Sequence, residues 1–270
     1  MIVCPLCAAV ARTTLYRNTR SGDVQRCTAC GFVYSAPSGE TRAAAPAFTD
    51  DPAVYRLNAQ DRLGRLERRV ALPGRRLLDV GCYDGNFTLA AQELGFLAEG
   101  VEPSPIGVEL ARAKGLTVAQ GTLEDAPLTG PYDAIAMIHV LEHFADPLVA
   151  LERARALLHP AGALLIEVPN FAAWSRKLLG RRWRQFIPDH ERFFEPYTLR
   201  RCLERTGWAV VDLRPVGKIA SVALLVDRLR RYYSPALAGV VARSAVFLGR
   251  ADARLTINLG DILLAVATVR

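Results

Sequence analysis

At 270 residues, half of them apolar and with a net charge of +7, the chain can bury one large core and carry an appendage. It has no run of 18 uncharged apolar residues, and its first residues lack a charged stretch followed by an apolar one. Neither a spanning helix nor a secretory leader is therefore expected, and a cytoplasmic location with reduced thiols is. The basic excess is nearly all arginine and favours acidic partners, such as phosphorylated molecules or an anionic lipid surface; no nucleic-acid-binding module is recognisable.

Residues 1–36 carry two C-x-x-C pairs, Cys4/Cys7 and Cys27/Cys30, with 19 residues between them. Four thiolates in two knuckles suit a tetrahedral zinc ion, and a closed four-cysteine set is structural because it leaves no position for water. A redox pair or an iron–sulfur cluster is the alternative. The second knuckle runs into Gly31-Phe32-Val33-Tyr34, an apolar strand that can pack beneath the metal. Residues 37–52, rich in Ala, Pro, Ser and Gly, read as a linker or lid, and residues 53–71 as a helix with Leu63, Leu66 and Val70 on one face.

From residue 72 onward the pattern alternates strand and helix, which predicts a parallel sheet covered on both faces. Strands are expected at 77–80, 97–102, 117–119, 133–138, 163–168 and 208–213, with a last one at 261–268. Helical inserts are expected at about 171–206 and 218–250. The first strand ends in Leu77-Leu78-Asp79-Val80-Gly81-Cys82-Tyr83-Asp84-Gly85-Asn86-Phe87, an acid, a glycine turn and a helix start. Ligands of open α/β sheets bind at such turns, where glycine lets the backbone approach closely. The second strand ends in Glu102, placed to accept hydrogen bonds from ribose hydroxyls. A dinucleotide site would need a third glycine, absent from Gly81-x-x-x-Gly85, and Asp79 and Asp84 disfavour a pyrophosphate; Asp79 suits a cationic amino group instead.

The Asp79–Gly85 run resembles motif I of the class I S-adenosylmethionine (SAM)-dependent methyltransferases, departing from it at Tyr83, where that family usually has glycine. The resemblance continues through Gly121-Thr122-Leu123-Glu124-Asp125-Ala126-Pro127, Tyr132 to His143, and Gly162 to Asn170, covering roughly residues 70–215. It implies a Rossmann-like doubly wound sheet of seven strands with the last antiparallel. It also implies SAM as cofactor, held by Asp79, Gly81, Gly85 and Glu102, with Leu123 and Glu124 at the adenine and His139 beside the methionine part. Zinc-ribbon N-termini like this one are similar to those of several methyltransferases acting on sugars or small metabolites.

Methyl transfer to oxygen needs a base or a metal to take the acceptor's proton, and histidine fits near neutral pH. Of the four histidines, His159 reads as a surface cap at a helix end. His190, flanked by Asp189 and Glu191, is the first choice of base, a hydrogen-bonded structural histidine being the alternative. His143 follows Glu142, and this pair resembles the acidic/His pair of ubiquinone-pathway O-methyltransferases, some of which use a divalent metal there. The stretch Trp174 to Phe186, with arginines and a lysine among aromatics, reads as a solvated face, a clamp on a phosphorylated or glycosylated acceptor, or a membrane-surface helix. Cys82 and Cys202 read as small apolar core groups. The expectation is a methyltransferase acting on a hydroxyl or carbon of a sugar-bearing or lipid-linked small molecule. The rivals are a binding module with a vestigial pocket, suggested by Tyr83, and an NAD-dependent oxidoreductase.

Overall fold

The computed structural model describes residues 3–36, 52–232, 234–248 and 253–270. The linker or lid expected at 37–52 lies outside the described residues except for its last position. The N-terminal unit contributes β1 (Arg12–Thr19), β2 (Gly22–Cys27) and β3 (Val33–Ser35), followed by helix α1 (Pro52–Glu67). The main domain then runs β4 (Arg76–Val80), α2 (Asn86–Glu93), β5 (Leu97–Glu102), α3 (Pro105–Ala113), β6 (Val118–Gln120), β7 (Tyr132–Ile138) and α4 (Pro147–Leu157). It continues with β8 (Leu158–Pro169), α5 (Trp174–Leu179), β9 (Arg192–Phe193), α6 (Pro196–Arg205) and β10 (Trp208–Pro215). Last come β11 (Lys218–Ser221), α7 (Val222–Tyr232), α8 (Pro235–Phe247), β12 (Arg254–Ile257) and β13 (Ile262–Val269).

Seven strands form the central sheet in the order β10-β13-β8-β7-β4-β5-β6. Strands β4 to β8 are mutually parallel, and β13 is antiparallel to both β8 and β10, as the seven-strand pattern predicts. The chain leaves β4 toward β5 and β6, then returns to β7 on the other side of β4. That reversal opens a crevice beyond the carboxyl ends of β4 and β7, where ligands of such sheets bind.

Side-chain alternation sets the two faces. Leu78, Val80, Ile135, Met137, Leu164 and Ile166 pack into one core with α4, α6 and the N-terminal unit. Leu77, Ala98, Ala134, Ala136, Ala163 and Leu165 face α1 and α2, and the alanines let these helices sit close to the sheet. Helices start where local chemistry directs. Asp146 accepts from the Leu148 and Val149 amides with Pro147 at the first helical position of α4, and Ser104 caps α3 ahead of Pro105.

Two sequence expectations shift. The first helix is shorter than 53–71, ending at Glu67, although Leu63 and Leu66 are buried and Val70 packs against the same core. His159 is not a helix-end cap: α4 stops at Leu157, and His159 lies within β8, where its Nδ1 accepts from the Ala161 amide at 3.1 Å.

The small sheet is β1-β2-β3-β9, so its fourth strand comes from the segment between β8 and α6. Val33 pairs with Phe193 and Tyr34 with Arg192. Phe171, Trp183, Phe186 and Phe193 form an aromatic cluster with Val24 and Val33 beneath this sheet. The Trp174–Phe186 stretch is therefore divided: Trp183 and Phe186 are core, whereas Trp174 and Leu178 are exposed.

Candidate functional site

The first half of the site is the turn after β4. Gly81, Tyr83 and Gly85 have φ of 66°, 45° and 75°, in the left-handed region. Both glycines are also required by packing. A Cβ on Gly81 would lie 2.7 Å from Val140 Cγ2, and one on Gly85 would lie 2.2 Å from Leu116 Cδ1. The Gly81 contact brings the turns after β4 and β7 together across the crevice.

Tyr83 holds a conformation that costs a side-chain-bearing residue about 1–3 kcal/mol. Two interactions oppose that strain. Its amide donates to Glu102 Oε2 at 2.9 Å, and its ring lies over Gly107, where a Cβ would come 3.2 Å from Tyr83 Cδ2. The turn thus keeps a glycine-like path with tyrosine in place.

Asp79 is buried at the end of β4 and accepts from Thr88 Oγ1 at 2.7 Å, tying the strand to α2. Burial pushes its carboxyl up to about 7; the Thr88 bonds oppose this, and the charges of Glu102 and Asp84 add to it. Glu102 is buried at the end of β5, with Oε1 taking the Ser104 amide at 2.8 Å and Oε2 the Tyr83 amide. Each carboxylate oxygen has a further lone pair available for a hydroxyl donor. Lys114, which sequence reasoning missed, ties the turn to the end of α3 by donating to Asp84 Oδ2 at 2.9 Å and Asn86 Oδ1 at 2.8 Å.

The loop after β6 begins beside Glu102, since the Gly121 amide donates to Glu102 O at 3.0 Å. In it Leu123 is buried in the large core and Glu124 is exposed. Cys82 is buried against Gly100, and Cys202 lies in the core; burial raises both thiols, Cys202 to about 12.

The second half of the site follows β7. His139, at φ 56°, directs Nε2 to Glu167 Oε1 at 2.9 Å and Nδ1 toward Glu142 Oε1 at 3.4 Å, an ion-pair contact rather than an aligned hydrogen bond. Glu167 also pairs with Arg62 of α1, and Arg62 Nη2 donates to Gly217 O at 2.8 Å. Lys218 Nζ lies 3.5 Å from His139 Nε2. Burial and Lys218 work to lower the His139 pKa, but Glu142 and Glu167 outweigh them and hold it above the ordinary value. Burial works to raise Glu167, yet His139, Arg62 and Lys218 keep it well below the carboxylate range.

Glu142 is 0 % exposed, and neither carboxylate oxygen receives a hydrogen bond. Around it stand His139, His143 and His190, with His190 Nε2 3.8 Å from Oε1. Burial opposes its ionisation, and the three imidazoles outweigh it, so the carboxyl lies below its usual value. His190 Nδ1 faces Gln185 O at 2.9 Å, and His143 Nδ1 faces Asp189 O at 2.8 Å. A carbonyl only accepts, so both rings carry hydrogen on Nδ1 and in the neutral form present a bare Nε2. Burial pushes the His190 imidazole down to about 4. One ligand atom from each of Glu142, His143 and His190 lies within 4.8 Å of the others. A carboxylate without donors and two imidazoles with carbonyl-anchored Nδ1 are the donor chemistry of a divalent cation, so these residues fit one.

The cysteine knuckles close a third cluster. Cys4 and Cys30 sulfurs lie 3.5 Å apart, as do those of Cys7 and Cys27, and all four lie within 4.8 Å of one another. Sulfurs around a tetrahedral zinc at ~2.3 Å would be about 3.8 Å apart, so the four residues fit such an ion. Burial raises Cys4 to about 11. In Cys27 burial is outweighed by the Cys30 and Ala29 amides and by neighbouring sulfurs, and its thiol falls to about 7.

Of the residues singled out from sequence, Asp79, Gly81, Gly85 and Glu102 meet at one turn, and His139, His143 and His190 meet around Glu142. Arg62, Glu167 and Lys218 were missed. Arg62 leaves a signal, since it shares the buried face of its helix with Leu63 and Leu66. Glu167 is a charge inside the apolar run from Ala163 to Val168 of its strand.

A doubly wound sheet with a glycine turn at the switch point and an acid at the next strand end is the arrangement of a nucleoside-cofactor site in the Rossmann-like class. The methyltransferase-domain family model matches residues 55–213, more than half of the chain, and the protein belongs to that family as a class I SAM-dependent methyltransferase. It is 29% identical over 167 residues to a "Ubiquinone biosynthesis O-methyltransferase" of Vibrio campbellii, covering 56% of this chain and 69% of that protein. Its fold is similar to that of a SAM-dependent methyltransferase of Thermotoga maritima, described as a possible histamine N-methyltransferase (TM-score 0.53, 20% identity, 81% of this chain and 92% of that one). It is also similar to that of magnesium protoporphyrin IX methyltransferase from Synechocystis with bound SAH (TM-score 0.53, 14% identity, 81% and 84%). Among the described residues, no helix is long and apolar enough to cross a membrane.

Proposed function

We propose that the protein methylates a hydroxyl of a small, sugar-bearing or lipid-linked molecule in the cytoplasm. The observation that carries this reading is Glu142, a fully buried carboxylate facing two imidazoles one turn beyond β7, two residues after the Val140 that packs on Gly81. That the similar Vibrio protein is named an O-methyltransferase supports an oxygen acceptor. A carbon acceptor is the second reading; nothing in the site favours it over oxygen.

Bound SAM supplies a methyl group on sulfonium. In this reading Asp79 meets the cationic amino group, Glu102 the ribose hydroxyls, and the loop at Leu123 and Glu124 the adenine. At the acceptor, a hydroxyl oxygen forms the new C–O bond as the C–S bond breaks, the electron pair staying on sulfur, and the hydroxyl proton must leave. His143 is exposed with a bare Nε2 and can take that proton, while Glu142 behind it offsets the charge that forms. His190, the first choice of base from the sequence, is buried and held neutral with a depressed pKa, so in this reading the exposed His143 takes that role and His190 flanks Glu142. Were a divalent cation held by Glu142, His143 and His190, it would lower the pKa of a bound hydroxyl. We infer that Cys4, Cys7, Cys27 and Cys30 hold structural zinc.

The test is calorimetric titration with SAM and S-adenosylhomocysteine, followed by methyl transfer from labelled SAM to glycosylated and isoprenoid-linked hydroxyl acceptors, with and without added Mg²⁺. Micromolar cofactor binding and label on oxygen are the expected result. Absence of cofactor binding in folded protein would overturn the reading.

A further inference from the structure

We propose that the four-cysteine ribbon is the positioning device of the acceptor site, and that Arg192 is the residue through which it acts. This rests on Glu142, His143 and His190 forming that site. His190 sits on a long loop between α5 and β9 and is 5 % exposed. Its orientation is fixed within the loop, by Nδ1 to Gln185 O, so the shape of the loop sets where Nε2 points.

The ribbon holds that loop at three points. Arg20 Nη2 donates to Arg184 O at 3.0 Å, and Ser21 Oγ to Ile187 O at 2.6 Å. The Ser35 amide donates to Glu191 O at 2.9 Å, and β3 pairs with β9. Beyond β9, Arg26 forms a two-pronged pair with Glu195, at 2.7 and 3.1 Å. On its other side the loop meets the acceptor turn, where the Glu191 amide donates to Glu142 O at 3.2 Å.

Arg192 joins the two sides. It is 4 % exposed, and its guanidinium donates to Ser35 O of the ribbon at 3.3 Å and to Ala145 O, two residues past His143, at 3.1 Å from Nε and 2.5 Å from Nη2. A fourth bond, to a third carbonyl, Glu191 O, at 3.1 Å, locks its own loop. A fork of fixed donors can hold three carbonyls in register, which a lysine ammonium on a flexible stem cannot. The cysteines enter because Cys27 ends β2 and Cys30 precedes β3, so a metal there pins the hairpin whose second strand holds β9. The turn expected to hold the cofactor is built from β4, β5 and α3, and among the described residues none of these bonds reaches it.

The experiment compares wild type, Arg192→Lys and Arg192→Met, and wild type stripped of metal by chelation and then returned to excess Mg²⁺, as are all the samples, so that only the cysteine site stays empty. It reads His190 modification by diethyl pyrocarbonate through mass spectrometry, hydrogen exchange of residues 184–195, SAM affinity, and KM against kcat. The expected result is that His190 reacts at least about tenfold faster in Arg192→Met and in stripped protein, with exchange of its loop accelerated and SAM affinity unchanged, as local opening requires. Arg192→Lys should fall in between, with kcat reduced more than KM for SAM rises. His190 protection unchanged in the folded variants would overturn the proposal. So would loss of SAM binding together with that protection, since the ribbon would then brace the whole fold. Should Arg192→Met fail to fold, Arg192→Lys and the stripped protein decide. Wild-type protein that binds no SAM but shows the same His190 response would reject the methylation reading and keep the coupling.

Discussion

Glu102 and Tyr83 clasp between the ends of β4 and β5: the Tyr83 amide donates to Glu102 Oε2 at 2.9 Å, while Ser104 takes Oε1. The carboxylate expected to meet a ribose therefore also holds the turn that carries the strained tyrosine. Glu102→Ala should weaken SAM binding by about 1–3 kcal/mol, through unpaired amides and lost hydroxyl acceptance. Calorimetry on Glu102→Gln separates the two, because glutamine keeps one acceptor oxygen and most of the packing. SAM affinity equal to wild type in both variants would remove the ribose assignment.

Tyr83 offers an ordering that depends on its backbone angle. Tyr83→Gly loses the ring over Gly107 but releases the left-handed strain, whereas Tyr83→Ala loses the ring and keeps the strain. Tyr83→Ala should thus be the less stable of the two, by about 1 kcal/mol, in urea denaturation. Equal stability would show that the turn relaxes out of the left-handed region once the ring is gone.

If Asp79 meets the amino group of the cofactor, SAM binding depends on pH. Its carboxyl titrates at about 7 in the folded protein, raised first by burial and further by Glu102 and Asp84. A raised carboxyl favours the protonated fold, so this group's contribution to stability is complete below about pH 4 and is lost as pH rises toward 7. Binding of a cationic amino group runs the other way, because it needs the carboxylate. SAM affinity should rise about tenfold from pH 6 to pH 8 and flatten in Asp79→Asn. A wild-type profile as flat as that of the variant would sever Asp79 from the amino group.

The Arg62–Glu167 pair is buried on both sides. Removing one partner of such a pair leaves an uncompensated charge, so Arg62→Met should cost about 3–5 kcal/mol of stability, measured by denaturant unfolding. His139 remains beside Glu167 in that variant, and a loss well under 1 kcal/mol would mean that it suffices alone.

Cys4→Ser should lower bound zinc, measured by elemental mass spectrometry, and leave a protein that exposes apolar surface, since Cys4 belongs to the same core as Phe32 and Phe194. Zinc content equal to wild type would place the metal elsewhere.

Much of the fold is legible in the sequence because four of the five parallel strands are apolar runs with a chemical marker at the end. Asp79 and Glu102 close β4 and β5, His139 follows β7, and Asn170 follows β8. These are local signals. The clustering of the four cysteines is legible for the same reason, from spacing within 27 residues. What the sequence conceals is pairing at a distance. β9 has two residues, too few for any periodicity, and its partner β3 lies across the chain. Arg62 reads as one more charge on a helix until Glu167 and Gly217 are brought beside it. Tyr83 suggests a damaged turn because the cost of its backbone angle is visible in the sequence, while the Glu102 bond and the space over Gly107 that offset it are not.

The long reach of these pairings has a consequence for the order in which the molecule can be built. Arg62 bonds to a carbonyl 155 residues later, and Arg192 to one 157 residues earlier. A nascent chain can lay down β4, α2 and β5 from neighbouring residues, so the cofactor crevice can take shape early in synthesis. The histidine cluster has to wait for the loop at 184–195 to meet a ribbon made long before, and for Lys218 to arrive last. A chain interrupted between α3 and α5 would hold the turn after β4 without the loop that brings His190 to Glu142, and that half of the candidate site matures only when the loop and the ribbon have met.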